Sequence, residues 1–250
     1  MVPLARAEAR KALELVPSHP RAHSLLGGIA ALHDYDWKEA EEQYRLAKAS
    51  QSLPPEVHDG YAQCYLVPLG RFEEAIQERA RAIARDPLNA LWHSNQANTF
   101  LCAEMYESAI AQARKALEID ERHYFAHGTI ALCYISQGKL AEAREWAEEA
   151  ARLAPWNPTG VAFLAALLSQ AGEKNRAENL LATIPGAIPS GMIFYHLIRS
   201  EIDAALDCYQ RVIELRQPIA AMMASAGFLK PLRASPRWPK LARMMNLPNA

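Results

Sequence analysis

The sequence lacks three features that define large classes of proteins. Its 250 residues contain no apolar run long enough to cross a membrane. Neither sign of charge is in excess (27 Lys plus Arg, 28 Asp plus Glu), whereas proteins that bind nucleic acid or anionic lipid usually have a basic surplus. The four cysteines form no CxxC pair, a pattern typical of reduced thiols in the cytoplasm. We therefore expect a cytoplasmic protein with no nucleic-acid and no membrane partner.

Motifs of catalysis and cofactor binding are also absent from the sequence. It contains no GxGxxG, Walker, HExxH or GxSxG pattern. The adjacent glycines Gly27 and Gly28 lie inside a predicted helix rather than after a strand. Acidic clusters such as Glu73 and Glu74 are assigned to the solvated faces of helices. We therefore expect no enzyme activity, no cofactor and no bound metal ion.

What the chain does contain is a repeat of about 34 residues. Small residues recur in three rows that keep one register. The first row is Ala40, Ala75, Ala109, Ala143 and Ala177, at steps of 35, 34, 34 and 34. The second row is Ala47, Ala82, Ala116 and Ala150, and the third is Gly27, Ala62, Ala97, Ala131 and Ala165. Such a period predicts helix pairs that must stack, because a single pair cannot bury its own apolar face.

These rows resemble the tetratricopeptide (TPR) repeat. The best match is Ile130, Ala131, Tyr134, Ala143, Ala147, Ala150 and Pro155. Two units need one extra residue, near Pro68 and within residues 33–37, and Glu104 replaces the turn glycine of other units. The resemblance implies an all-α fold, a right-handed superhelical solenoid of helix-turn-helix repeats with a C-terminal capping helix. It also implies a non-catalytic scaffold for protein–protein interactions.

We number each unit from 1 to 34, with position 1 at Pro20, Pro55, Ala90, Tyr124 and Pro158. The expected organisation is a single solenoid. Its segments are a second helix of an incomplete repeat at 1–19, repeats at 20–54, 55–89, 90–123, 124–157 and 158–185, a degenerate repeat at 186–218, and a C-terminal cap at 219–250.

Four histidines share position 4, namely His23, His58, His93 and His127. One interpretation is structural, with each imidazole wedged between one helix pair and the next. The alternative is a metal-binding ladder, which would require nitrogen ligands about 2.0–2.1 Å from one ion. Equivalent positions in stacked helices are about 8–10 Å apart or more, so their side chains run parallel instead of converging. We favour the structural interpretation.

The resemblance also implies a binding surface, because the first helices of TPR units line a concave groove. Positions 2, 5, 9 and 12 share that helix face. The candidate groove residues are Arg21, Ser24, Glu56, Asp59, Gln63, Leu91, Ser94, Asn95, Asn98, Phe125, Leu132 and Thr159. We expect a peptide segment or partner domain to bind there. Only Arg21 is basic, which disfavours a clamp for a C-terminal carboxylate, and we expect changes at Asp59, Asn95 and Asn98 to leave the melting temperature unchanged.

The two ends carry separate expectations. Residues 5–17 match a second helix without its first helix, so we expect either a longer native protein or a homo-oligomer formed through the N-terminal edge. Residues 200–248 resemble the closing TPR segment of bacterial multidomain regulators that carry winged-helix, adenylate-cyclase or Ser/Thr-kinase domains. The matching parts of this segment are Ala205–Pro218 and Phe228–Pro248, and Tyr35, Asp36 and Trp37 resemble an insertion typical of the repeats in the same regulators. This resemblance implies a regulatory role, and we expect the tail to fold over the final helix pair.

Overall fold

The computed structural model describes residues 2–50, 52–184 and 188–248, and in these ranges it contains helices, turns and no β-strand. The boundary expected between residues 185 and 186, and the terminal residues 1, 249 and 250, lie outside the described residues. Over the same ranges, no helix combines the length and the apolar character that a membrane crossing requires.

Antiparallel helices follow one another as the repeat predicts. The long helices are α1 Val2–Leu15, α2 Pro20–Ile29, α3 Trp37–Ala47, α4 Pro55–Tyr61, α5 Phe72–Arg85, α6 Ala90–Cys102, α7 Tyr106–Ile119, α8 Tyr124–Ser136, α9 Leu140–Leu153, α10 Pro158–Gln170, α11 Lys174–Leu181, α12 Pro189–Ile198 and α13 Ile202–Glu214. A tail of short helices follows, with α14 Ile219–Met222, a 3₁₀ turn Gly227–Leu229, α15 Lys230–Arg233 and α16 Trp238–Met244.

Each first helix ends in a residue with left-handed backbone. The φ values at this place are positive for Tyr35, Gly70, Glu104, Gly138, Gly172 and Ser200. Glycine is favoured there because it has no Cβ, yet Glu104 adopts φ 62° in the same turn. The turn geometry is therefore set by helix packing in every unit, and glycine only makes it easier to form.

The extra residue of the first two full units is accommodated inside the first helix. Ala30–Asp34 and Ala62–Leu66 form π-helical turns that extend α2 and α4, the usual way in which a helix takes up a single insertion. The same two units carry a large, fully buried side chain at position 24, Tyr44 and Arg79. The equivalent residues of the next two units are alanines. The one-residue insertion and the large side chain at position 24 therefore occur in the same two units.

The tail, residues 215–248, packs against the concave face of the solenoid. The position-12 residues Ala31, Leu66 and Leu101 are fully buried in one core with tail residues such as Leu229. The Ser225 hydroxyl donates a hydrogen bond to the Pro68 carbonyl oxygen (2.6 Å). The Lys230 ammonium forms an ion pair of 2.6 Å with Glu104 at the turn of the third full unit.

The end of the tail joins the last helix pair to the first. Trp238 packs on Tyr209 of α13, with ring centroids 5.4 Å apart. Seven residues after Trp238, the carbonyl oxygen of Met245 accepts a hydrogen bond from the Trp37 indole N–H (2.9 Å). The Arg216 guanidinium lies 4.4 Å from the ring centroid of Tyr35. The tail thus covers the final pair and also closes the solenoid onto its first full unit, which the sequence did not indicate.

We expect this closure to contribute strongly to stability. Two tryptophans, one at the closure and one outside it, separate the effect of the closure from the effect of losing a tryptophan. Trp37 is 7% exposed at the closure, whereas Trp156 is 70% exposed in an inter-unit turn. Replacing Trp37 with Ala should lower the free energy of unfolding by about 3–5 kcal/mol because it leaves a cavity. Trp156→Ala should lower it by less than about 0.5 kcal/mol. Urea unfolding of both variants gives the comparison, and equal losses would contradict a closed solenoid.

Candidate functional site

The groove residues predicted from the sequence lie on the first helices α2, α4, α6, α8 and α10, but they do not form one continuous surface. The position-2 row stays open to solvent. It consists of Arg21, Glu56, Leu91, Phe125 and Thr159, each exposed or half-buried. In the position-12 row, Ala31, Leu66 and Leu101 are buried under the tail, whereas Ile135 and Ser169 are half-buried. The concave groove is therefore reduced to its half nearer the starts of the first helices.

Neighbouring units are tied together along this open half. The Arg21 guanidinium of α2 forms an ion pair with Glu56 of α4. The Asn95 amide of α6 donates to both carboxylate oxygens of Asp59 on α4, each at 3.1 Å. Ser94, in contrast, is fully buried and does not face solvent. Side chains selected as partner-binding candidates therefore also hold adjacent units in register.

A buried arginine lies behind these residues and was not selected from the sequence. Arg79 of α5 is 0% exposed. Its guanidinium donates to Asp59 Oδ1 (3.0 Å) and to the amide oxygen of Gln63. The signal for it was present, because Arg79 stands at position 24, where the following units have Ala113 and Ala147. A charged residue in a row of small core residues indicates an internal ion pair.

The ion pair between Arg79 and Asp59 changes what we expect from a substitution of Asp59. Burial lowers the pKa of the Arg79 guanidinium, and the charge of Asp59 opposes that effect. Removing one partner of a buried ion pair costs about 3–5 kcal/mol because the other charge is left without compensation. The expectation that changing Asp59 together with Asn95 and Asn98 leaves stability unaffected is therefore wrong, since Asp59 neutralises a fully buried cation.

Between the concave face and the tail lies a cavity of ≈270 Å³. Five of the predicted groove residues line it, and they are Gln63, Asn98, Phe125, Leu132 and Thr159. Phe163 of α10, Phe194 of α12 and Phe228 of the tail complete an aromatic wall. Phe194 contacts both other rings of this wall, at centroid distances of 4.9 and 5.7 Å. The cavity is the place where the repeat surface and the tail meet around open space.

The position-4 histidines all contact position 23 of their own second helix, and three of them are also hydrogen-bonded to the preceding loop. The Nε2–H groups of His23, His93 and His127 donate to the carbonyl oxygens of Pro17, Pro87 and Glu121, at 2.9, 2.9 and 3.0 Å. Nδ1 faces position 23. There His23 is hydrogen-bonded to Gln43, His93 accepts from Gln112, His58 donates to Glu78, and His127 packs against the ring of Trp146. The imidazoles are joints between consecutive helix pairs.

No cluster of three or more His, Cys, Asp or Glu side chains with the geometry of a metal site occurs among the described residues. The cysteines at 64, 102, 133 and 208 are free thiols. Burial raises the pKa of Cys102 and of Cys133 to about 12. Both groups are therefore neutral thiols that pack as small apolar side chains.

Glu78 is the only carboxylate among the four position-23 residues. Burial acts to raise its pKa, but hydrogen bonds from His58 (2.6 Å) and Lys48 (2.8 Å) hold the pKa of Glu78 at about 2. A carboxylate can only accept, so His58 carries its proton on Nδ1. The charged form of Glu78 is therefore part of the folded structure.

We expect acid to remove this contribution. Because the folded pKa of Glu78 lies below the unfolded value of 4.5, its stabilisation is complete above pH 4.5 and is lost as the pH falls towards 2. The loss should be about 2–3 kcal/mol of unfolding free energy. Glu78→Gln, which reproduces the His–Gln pairs of two other units, should lack this acid-sensitive component. Urea titrations at pH 6 and pH 3 measure it.

Glu42 provides the control for that titration. Its carboxylate pairs with Arg45 on the exposed face of α3, with half of its side chain in solvent, where salt and water screen the interaction. Glu42→Gln should leave the acid dependence of the wild-type protein almost unchanged. An acid dependence that is the same in the Glu78→Gln variant as in the wild type would show that Glu78 does not supply it.

Solved structures of other proteins share this architecture. PilF of Pseudomonas aeruginosa is 20% identical, with 84% of this chain and 93% of PilF covered and a TM-score of 0.56. PilW, described as a widely conserved type IV pilus biogenesis factor, is 17% identical, with 72% and 83% covered and a TM-score of 0.62. MamA is 15% identical, with 66% and 88% covered and a TM-score of 0.50. At these identities the likeness is one of fold.

The sequence itself matches a family model described as "Tetratricopeptide repeat" over residues 2–54, 64–124 and 96–158. These ranges cover more than half of the chain and contain α1 to α3 and α5 to α9, whereas α4 lies between two of the matches. The chain therefore belongs to the tetratricopeptide repeat family, all-α superhelical proteins that generally mediate protein–protein interactions.

Proposed function

We propose that this protein is a non-catalytic scaffold that binds a peptide segment or partner domain along the open half of its concave groove. The observation that carries the proposal is the division of the groove, with Ala31, Leu66 and Leu101 of the position-12 row buried under the tail and the position-2 row exposed or half-buried. A partner that follows the open row meets successive units at equivalent places. This geometry suits an extended segment more than a compact ligand.

Large apolar side chains border this row. Leu91 of the position-2 row is 46% exposed. Leu88 and Trp156, at the same place in two inter-unit turns, are 79% and 70% exposed. Exposed tryptophan with neighbouring apolar residues is typical of the residues that dominate binding energies. We assign the anchoring of the partner to these side chains and its orientation to the paired charges Arg21 and Glu56.

Leu91 and Trp156 can be tested together without disturbing the fold, because both are exposed. The double variant Leu91→Ser and Trp156→Ser should fail to retain the partners that the wild type retains in affinity capture. Its affinity for a purified partner should be at least tenfold lower than that of the wild type. Each anchor is assigned about 1–2 kcal/mol. Leu215→Ser is the control, because Leu215 is also 46% exposed but lies beyond α13. Unchanged affinity of the double variant at an unchanged melting temperature would count against this surface.

An alternative function is assembly of copies of the chain through the N-terminal edge. Along α1 the only buried residue is Ala9, while Leu4 and Leu15 are 67% and 78% exposed. If this edge makes homo-oligomers, light scattering should give a mass above that of one chain, and Leu4→Glu with Leu15→Glu should restore the monomer. A strict monomer at high concentration would remove this alternative.

We also propose that the module serves as the C-terminal regulatory part of a larger bacterial regulator in the cytoplasm. The support is the resemblance of residues 205–218 and 228–248 to the closing segment of such regulators. The same residues form the closure in this fold. The full reading frame of the gene tests this proposal, which requires a winged-helix, cyclase or kinase domain before residue 1.

A further inference from the structure

Two glycines keep the cavity between the first helices and the tail open. Gly128 of α8 and Gly160 of α10 both line it, and a Cβ placed on either would meet no heavy atom within 4 Å. Neither has the positive φ that requires glycine. Gly27, by comparison, packs so tightly that a Cβ would lie 2.8 Å from the Tyr44 ring. Glycine is unfavourable inside a helix relative to alanine, so open space at two such positions points to a site for an occupant.

The walls of the cavity define the polarity of that occupant. Phe125, Phe163, Phe194 and Phe228 contribute aromatic surface, and Met222 and Met223 of the tail contribute flexible apolar surface. No Asp, Glu, Lys, Arg or His side chain is among the lining residues that the structure describes. Because an unpaired charge is costly in such surroundings, the walls suit an uncharged molecule with an aromatic or aliphatic body.

Two of the lining residues, Gln63 and Asn98, carry amide groups that can donate hydrogen bonds. The amide oxygen of Gln63 accepts from Arg79, and a guanidinium can only donate. Arg79 thereby fixes the orientation of the Gln63 amide, whose NH₂ group is left without a partner among the described residues. The NH₂ group of Asn98 is likewise without a partner in the described part of the chain. Both residues line the cavity.

We propose that this cavity is a small-molecule site for an uncharged compound with an aromatic or aliphatic body and one carbonyl oxygen. The body lies among the phenylalanine rings, and the carbonyl oxygen accepts from Gln63 and Asn98. The volume of ≈270 Å³ is just below the range of about 300–1,000 Å³ usual for ligand sites, which suits a compact bicyclic molecule. Phe125 and Thr159 of the position-2 row also line this cavity, so the site adjoins the partner surface under Proposed function, but the proposal does not depend on that function.

Binding of the ligand would also depend on the position of the tail. Phe228 and the two methionines belong to the tail, whereas Asn98, Phe125 and Phe163 belong to the first helices. An occupant therefore contacts both sides of the closure at once. Because it binds only the closed arrangement, it stabilises the folded protein in proportion to its affinity and concentration.

A fluorescent probe of this chemistry tests the proposal on the full chain. Prodan is an uncharged naphthalene with one ketone oxygen, and its emission shifts to the blue in apolar surroundings. We expect saturable 1:1 binding with a micromolar dissociation constant and a raised melting temperature. The anionic naphthalene dye 1-anilinonaphthalene-8-sulfonate should bind at least tenfold more weakly. Absence of prodan binding, or equal binding of both dyes, would overturn the proposal.

Substitutions at the cavity glycines locate the probe. Gly128→Ala and Gly128→Leu fill the space progressively and should weaken prodan binding about threefold and at least tenfold, while Gly128→Ala raises the melting temperature. Gly28→Ala is the control, since Gly28 is a helical glycine outside this cavity with ordinary packing at its Cβ position. Loss of affinity together with a gain in thermal stability cannot come from unfolding. Unaltered binding by the Gly128 variants would place the probe elsewhere.

Asn98 tests the carbonyl part of the proposal. Asn98→Leu keeps the approximate volume and removes the donor, so it should weaken the binding of prodan about tenfold. The affinity of the carbonyl-free analogue 2-(dimethylamino)naphthalene should fall less than twofold on the same substitution. An equal loss for both probes would show that Asn98 only packs against the ligand and would refute the assigned hydrogen bond.

Discussion

The contact between the first full helix pair and the tail is the constraint on which the rest of the structure depends. Stacked helix pairs normally contact only their neighbours, and such arrays behave as one-dimensional chains. Here the indole of Trp37 and the carbonyl of Met245 are joined across 208 positions of sequence. One core cluster runs from Ala30 to Met245. Because the first full helix pair and the tail share that core, neither can detach without exposing it, and the stabilities of the two are coupled.

The closure also decides which parts of the concave face remain available. The tail occupies the row that begins with Ala31 and leaves the row that begins with Arg21 in solvent. Where the tail passes α8 and α10, the glycines 128 and 160 prevent complete filling, and the cavity remains. One folding element thus leaves both an open strip and a neighbouring cavity on the concave face, and Phe125 and Thr159 border the two.

The local features of this fold could be predicted from the sequence, whereas contacts between residues far apart in the sequence could not. The alanine rows fix the helix pairs, since only small residues allow their backbones to approach, and Ala40 and Ala75 are fully buried. The spacing of the four histidines favours a structural role, in agreement with their hydrogen bonds, but the spacing does not predict their partners at position 23. The return of the tail to Trp37 depends on curvature summed over all units, which no local pattern contains. The ion pair of Arg79 is not predicted by the rows of small residues, because Arg79 stands where other units have alanine and its partner Asp59 lies on another helix.

The π-helical turns impose a coupling between chain length and side-chain volume. The two units that carry them are also those in which position 24 is Tyr44 or Arg79. Tyr44 is packed so closely that its ring would touch a methyl group on Gly27. Shrinking Tyr44 would leave a void beside Gly27, because the two pack directly against each other. A substitution at either position is therefore expected to be tolerated best when the other changes in the opposite sense of size.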